Sequence, residues 1–405
     1  MLFRSRESRS TPKKSAGICT SSLAHTSQGL EHNANARTPS LLLRSAVASD
    51  GSYDHEQREP MTTASAVDIS VAFATTLDTP AHAELAEQLG FVRAWLYDTP
   101  QQSPDVWMCL ALAAQRTRSI GLGPGVLVPT LRHPMVNAAA AAALEALAPG
   151  RVAVGFGTGH TGRRAMGQPK PIPWNYMSRY VTVFRQLLDG QTVEWEGGAL
   201  RMLHPAASSP PAPLRIPIYI SAVGPRGIEV ARRVADGLFV GAGVPDGASD
   251  FSAVAFLGFG TVLDENETAT DDRVRAAAGP GLLQAFHFAY ELGGPPGVMS
   301  FPGGKEWLAV VERTPEAQRH FAVHQDHLMR LNEADVAAWR AGAHTLLTTA
   351  TLSGRADEVR AKVEQLAANG VTELVYQPAG DIQRELEMFA AAVELQPTGS
   401  KVEAG

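Results

Sequence analysis

Strand-like and helix-like segments alternate along the chain from Val67 onward, and this rhythm constrains the fold more than any other feature. "VDISVAFA" is followed by "PAHAELAEQLG", "FVRAWLYD" by "SPDVWMCLALAAQRT", and "SIGLGPGVLV" by "HPMVNAAAAAALEALAPG". "RVAVGFG" precedes a long loop and "WNYMSRYVTVFRQLLDG", and "PLRIPIYISA" precedes "GPRGIEVARRVADG". "LFVGA" and "FSAVAFLGFGTVL" add two strands, and "RADEVRAKVEQLAANG", "VTELVYQP" and "IQRELEMFAAAVEL" close the series. Short apolar runs between Gly and Pro breaks read as buried parallel strands, and the longer periodic segments read as helices. Eight such units favour a (β/α)8 TIM barrel over an open doubly wound sheet. Chemistry in such a barrel sits at the C-terminal strand ends, which singles out Thr75, Asp98, Gly125 to Arg132, Gly157 to Gly162 and Ser221 to Arg226.

The barrel is expected over 61–397. The Ser-, Thr- and Arg-rich residues 1–60 have little apolar periodicity and no secretory h-region, so they read as a disordered extension, with an organelle transit peptide as the alternative. Met61 directly precedes the first strand. The Gly- and Pro-rich stretch of about 241–346 exceeds one βα unit and is expected to hold a helical insertion over the mouth. A net charge of -6 gives no electrostatic reason to expect nucleic acid. The two cysteines, Cys19 and Cys109, form no disulfide framework and suit a reducing cytoplasm. No apolar run approaches the roughly 20 residues that span a bilayer.

Several motifs fall on the strand ends. In "GLGPGVLVPTLRHP" a core strand is broken by Gly-Pro-Gly as it emerges. Either this is an ordinary turn or the backbone bends because something lies flat on it. "GFGTGHTG" carries G-x-G-x-x-G at Gly157, Gly159 and Gly162. Pro169, Pro171 and Pro173 prevent the helix a dinucleotide fingerprint needs, so the loop reads as one that lets a ligand approach backbone. In "SAVGPRGIEVARR", Gly224, Pro225 and Gly227 gather backbone N–H groups at a helix start, and Arg226 adds a charge, which favours a phosphate. Asp98 at a strand end is a ligand contact or a structural cap, and contact is the favoured reading. His320, His324 and His327 lie at i, i+4 and i+7. The pattern is not H-E-x-x-H, so it reads as a solvated or satisfied face, and no metal is expected.

Taken together, these residues resemble the bacterial luciferase-like superfamily of flavin and deazaflavin enzymes. The branch most similar uses coenzyme F420, as in methylenetetrahydromethanopterin reductase and F420-dependent glucose-6-phosphate dehydrogenase. The resemblance spans roughly 67–240 and 345–395 and is strongest in "GVLVPTLRHP" and "LAPGRVAVGFGTG". It implies a non-prolyl cis peptide, by position Gly125-Val126, whose bulge supports the back of a tricyclic ring. It further implies that Asp98 contacts the coenzyme, that Gly157, Thr158 and Gly159 lie beside the ring, and that Ala222, Gly224, Pro225 and Arg226 hold its phosphate. His160 falls where the sugar-phosphate branch carries a catalytic Glu, so an imidazole is the candidate acid/base. Thr99 and Val128 depart from the two branches and argue against glucose 6-phosphate and methanopterin as substrates. The implied activity is F420-dependent hydride transfer to or from an alcohol, carbonyl, imine or activated alkene. The alternative is an FMN-dependent monooxygenase using reduced flavin and O2. A homodimer is the implied assembly.

Overall fold

The computed structural model describes residues 67–398, except 169, 206, 208 and 242; the extension expected over 1–60 lies outside the described residues. The described residues hold ten strands: β1 (Asp68–Phe73), β2 (Arg93–Leu96), β3 (Gly121–Pro124), β4 (Val154–Phe156), β5 (Val193–Trp195), β6 (Gly198–Leu200), β7 (Ile218–Ser221), β8 (Gly237–Val240), β9 (Val254–Phe259) and β10 (Glu373–Gln377). Eight form one parallel sheet in the order β3-β2-β1-β10-β9-β8-β7-β4. The sheet closes between β3 and β4 through bridges Leu122↔Val152 and Leu127↔Phe156. Leu122 and Leu127 N–H groups donate to the carbonyls of Arg151 and Gly155, both at 2.8 Å. The expected barrel is therefore present, with its strands burying nearly every side chain, as a sheet covered on both faces requires.

The interior is filled by Trp95, Tyr97, Tyr219, Phe239 and Val375 with small alanines between them. Trp95 meets Tyr219 and Phe239 edge-on, at ring separations of 5.4 and 5.5 Å. At the N-terminal end, Glu373 accepts hydrogen bonds from Ser70 Oγ (2.6 Å) and Trp95 Nε1 (2.8 Å), with Arg93 3.7 Å away. That end is sealed by packing and paired charge, leaving the opposite end for chemistry.

Helices Thr79–Leu89, Val106–Arg116, Pro134–Leu147, Trp174–Leu188, Pro225–Val234, Ala356–Ala368 and Ile382–Ala392 surround the barrel. Two local details differ from the reading of the sequence. Between β8 and β9 there is only a 3-10 turn, Ala248–Asp250, because Gly241, Gly243, Pro245 and Gly247 deny the segment a helix. Between Leu188 and β7, the chain forms the β5–β6 hairpin, whose two-residue turn uses Glu196 and Gly197 at φ 51 and 81.

After β9 the chain leaves the barrel for a helical segment comprising Asp272–Met299, Gly304–Val311, Arg319–His324, Glu333–Arg340 and Leu347–Ala350. Thus 241–259 of the stretch expected as insertion belongs to the barrel, and helices occupy the remainder. The longest helix breaks at Gly294 (φ 61), just before Pro295 and Pro296. This segment has its own apolar core, centred on Phe286, Trp307 and Trp339, with Phe286 stacked on Phe301 at 4.8 Å.

Candidate active site

A cavity of about 1160 Å³ opens at the C-terminal ends of the strands, between the barrel and the helical segment. Asp98, Gly125 and Val126 border it, as do Gly157, Thr158, Gly159 and His160. Ala222 and Gly224 complete one wall, whereas Pro225 and Arg226 do not reach the cavity. Arg226 is exposed at the start of the Pro225–Val234 helix, so its expected contact with a phosphate is not formed by this side chain's position.

The third strand ends at Pro124, where the sequence breaks it. The Gly125-Val126 peptide bond is cis. Val126 sits in a notch made by two glycines: a Cβ at Gly155 would lie 2.9 Å from Val126 Cγ1, and one at Gly157 2.6 Å from Cγ2. These glycines therefore make room first for Val126, and only through it for anything above. Gly159 takes the left-handed conformation (φ 79) that starts the His160–Ala165 helix. At Gly224 an added Cβ would meet nothing within 4 Å, so this turn faces open space.

Asp98 is already engaged. Its Oδ2 accepts from Arg132 Nη1 at 2.6 Å, and the same guanidinium donates through Nη2 to Asp105 Oδ2 at 2.7 Å. Asp105 also caps the Val106–Arg116 helix, accepting from the N–H groups of Trp107 and Met108. The Val128 backbone N–H donates to Asp98, which ties the emergent third strand to the end of the second. Burial raises the Asp98 carboxyl even against Arg132. At half-exposed Asp105 the burial effect is outweighed by Arg132 and the cap N–H groups, and the carboxyl falls. Behind this cluster, Tyr180 Oη donates to the Arg132 carbonyl (2.8 Å) and accepts from Asn137 Nδ2 (2.8 Å). Asp105 is not among the places singled out from the sequence, whereas Arg132 ends the stretch Gly125 to Arg132 that is. Arg132 lay inside the quoted "TLRHP" motif, but its two partners lie 34 and 27 residues away and carry no local signal.

His160 projects from the loop after β4, its ring edge-on to Phe288 of the long helix at 5.8 Å. Burial lowers its imidazole below the ordinary value; the Glu291 charge opposes this and Arg164 reinforces it. Its Nδ1 is buried with no hydrogen-bond partner among the described residues. The three histidines expected on one helical face are arranged differently. The helix ends at His324, and His327 follows in a turn where Asp326 and Leu328 have φ of 57 and 63. His324 and His327 are buried rather than solvated, and their partners come from elsewhere in the helical segment.

A closed parallel barrel with a cofactor-sized cavity at its C-terminal end defines a (β/α)8 enzyme site. The sequence profile of the luciferase-like monooxygenase family matches residues 55–373, and the chain belongs to that family. It is 28% identical over 309 residues to a 5,10-methylenetetrahydromethanopterin reductase of Archaeoglobus fulgidus, covering 73% of this chain and 87% of that one. It is 35% identical to an F420-dependent hydroxymycolic acid dehydrogenase of Mycobacterium tuberculosis, but over only 39% of this chain and 47% of the relative. The structure of the coenzyme F420 dependent tetrahydromethanopterin reductase from Methanopyrus kandleri shares the fold, with a TM-score of 0.58 and 22% identity over 82% of this chain and all (100%) of that one. Among the described residues, no helix is long and apolar enough to cross a membrane.

Proposed function

We propose that this protein is a coenzyme F420-dependent oxidoreductase acting on a small alcohol, carbonyl, imine or activated alkene. The observation that carries the reading is the Val126 ridge, locked between Gly155 and Gly157 on the floor of the cavity. A flat heterocycle laid on this ridge would present its other face to the remaining volume, where a substrate fits. The volume exceeds the usual range for a single drug-sized ligand, about 300–1,000 Å³, as a coenzyme with a substrate requires. The residues present suit an anionic coenzyme, because the buried carboxylate nearest the ridge, Asp98, is matched by Arg132.

When bound, the deazaflavin supplies the hydride chemistry. The chain's own residues position, exclude water and handle the proton. Gly125 and Val126 would support the ring, and Gly157, Thr158 and Gly159 line the same cavity beside it. Asp98 fixes the loop that carries the ridge and faces the coenzyme. Ala222, Gly224 and the helix start at Pro225 receive the anionic tail, with Arg226 adding longer-range attraction. His160, neutral at ordinary pH because burial lowers it, takes or returns the substrate proton. A homodimer in the cytoplasm is part of the same reading.

The family's description as monooxygenases favours FMN with O2 as the second reading. Loss or recovery of the deazaflavin's visible absorbance across a panel of alcohols and carbonyls supports the first. Oxygen uptake with reduced FMN, without turnover of F420, selects the second.

A further inference from the structure

Behind the cavity, the helical segment buries a group of ionisable side chains that the proposed hydride transfer does not yet use. His287 projects inward from the Asp272–Met299 helix, 3% exposed. Its Nε2 lies 2.9 Å from Asp335 Oδ1, and its Nδ1 lies 2.8 Å from His327 Nδ1. Asp335 is held firmly. Its Oδ1 accepts from Trp307 Nε1 at 2.8 Å, and its Oδ2 accepts the Asn332 N–H in the capping box of the Glu333–Arg340 helix. His327 borders the cavity. The barrel anchors its turn: Gln377 Nε2, at the end of β10, donates to the Leu328 carbonyl at 3.0 Å, and Tyr97 Oη donates to Gln377 Oε1.

The contacts dictate the tautomers. Asp335 receives Trp307 and backbone N–H groups, so it acts as acceptor toward His287, which carries its proton on Nε2. With His287 Nδ1 as the acceptor, His327 carries its proton on Nδ1. That leaves the lone pair of His327 on Nε2, for which no hydrogen bond occurs among the described residues, and His327 borders the cavity. The 2.8 Å separation of the two Nδ1 atoms is that of a shared proton; two imidazoles on one tetrahedral metal, with bonds of about 2.0–2.1 Å, would stand farther apart. His324, 2.8 Å from Glu291, completes the cluster on the side facing Arg164 and His160.

We propose that His327 is a second proton-handling residue of this site, and that His287 and Asp335 are positioning residues that fix its tautomer. The inference rests on the oxidoreductase reading for its reaction. In the alcohol-to-carbonyl direction the hydroxyl proton would pass to His327 Nε2, an alternative to His160 as its acceptor, as the hydride would leave the carbinol carbon for the deazaflavin. The O–H and C–H bonds break, the C=O π bond forms, the alcohol is oxidised and the coenzyme gains two electrons. The imidazolium formed donates through Nδ1 to His287, with the Asp335 carboxylate behind it. This arrangement requires a substrate bearing an exchangeable proton or a carbonyl oxygen at the reacting carbon, and disfavours a simple alkene.

Two measurements on the full chain test it. In histidine-labelled protein without coenzyme, two-bond ¹H–¹⁵N correlations at neutral pH should show His327 protonated on Nδ1 alone, and Asp335→Asn should mix the tautomers. A wild-type His327 protonated on Nε2, or an Asp335→Asn spectrum identical to wild type, overturns the relay, whatever the coenzyme proves to be. In turnover with F420, His327→Gln should lower kcat by about 10²–10⁴-fold, the usual weight of a general acid or base. Asp335→Asn should lower it about 10–100-fold, as removal of a group orienting a working imidazole does. The acidic limb of the kcat/KM pH profile should shift in His327→Gln. The charged or titratable groups around His327 are His287 and His324, with Asp335, Glu291 and His320 behind them. F420 affinity should stay within about twofold of wild type, since His327 acts on the substrate's proton. Wild-type turnover by His327→Gln overturns its catalytic role, while failure of F420 to bind at all overturns only the coenzyme reading.

Discussion

The barrel and the helical segment above it bury similar kinds of apolar side chain, yet they treat charge in opposite ways. In the barrel, buried ionisable groups sit at the ends: Glu373 with Arg93, Ser70 and Trp95 at the closed end, and Asp98 with Arg132 at the open one. The middle is left to aromatic and aliphatic packing. In the helical segment, His287, His324, His327, Glu291 and Asp335 lie next to its apolar core. A barrel interior is closed on itself and gains most from dispersion and apolar burial. A helical cap must dock on a cavity, and polar groups on its inner face can be both satisfied and directed at a ligand. The contrast fits the proposed division of labour, in which the barrel carries the coenzyme floor and the cap carries His327 with the residues that position it.

The sharpest way to break that division is His160→Ala, which removes the one proton-handling candidate carried by the barrel side. Turnover is expected to fall about 10²–10⁴-fold with coenzyme affinity nearly unchanged; an equal loss in both would make His160 a binding residue instead. Next in size is Trp95→Ala, which empties the middle of the barrel and orphans a bond to Glu373. A loss of about 3–5 kcal/mol is expected in urea unfolding, with coenzyme binding weakened as the floor loosens. A loss under 1 kcal/mol would show that the barrel interior is not the rigid element.

The helical segment should also show its own dependence on pH. Burial lowers His324 and His327 below their ordinary value, so they stay neutral in the folded chain while unfolded histidines take up protons below about 6.5. Stability should therefore be flat above pH 6.5 and decline as pH falls below it, by up to about 1.4 kcal/mol per pH unit for each histidine, until the folded values are reached. His324→Gln should make the decline shallower. The Arg273 contact holds Glu267 down to about 2, so its contribution, present above about 4.5, is lost only as pH falls from there toward 2. The smallest expected effect is Arg226→Ala. Because the side chain is exposed and away from the cavity, F420 affinity should weaken only about twofold, and less at high salt.

The same contrast explains what the sequence disclosed. The eight barrel strands were legible because Val, Ile, Leu and Ala runs between Gly and Pro breaks are local signals. The β5–β6 hairpin was not read, since "TVEWEGGAL" carries only three residues on each side of its turn. The Asp272–Met299 helix was obscured by Pro280, Pro295 and Pro296, which tertiary packing tolerates. At the site, Asp98, His160 and the glycines were visible from strand ends and spacing. Arg132 lies in the singled-out third strand end, whereas Glu291, His287 and Asp335 were not visible, because each acts on a partner far along the chain. For His324 and His327 the satisfied alternative holds, but a 3.6-residue pattern cannot reveal that the helix stops at His324.

The account depends on a flat heterocycle resting on Val126. A side-by-side titration of the full chain with oxidised F420 and with FMN tests this most directly. The expected result is saturable binding of F420 with a perturbed chromophore, tighter than FMN and lost when Gly157 is replaced by Val to displace the ridge. Equal or tighter binding of FMN, or F420 affinity indifferent to Gly157→Val, would contradict it.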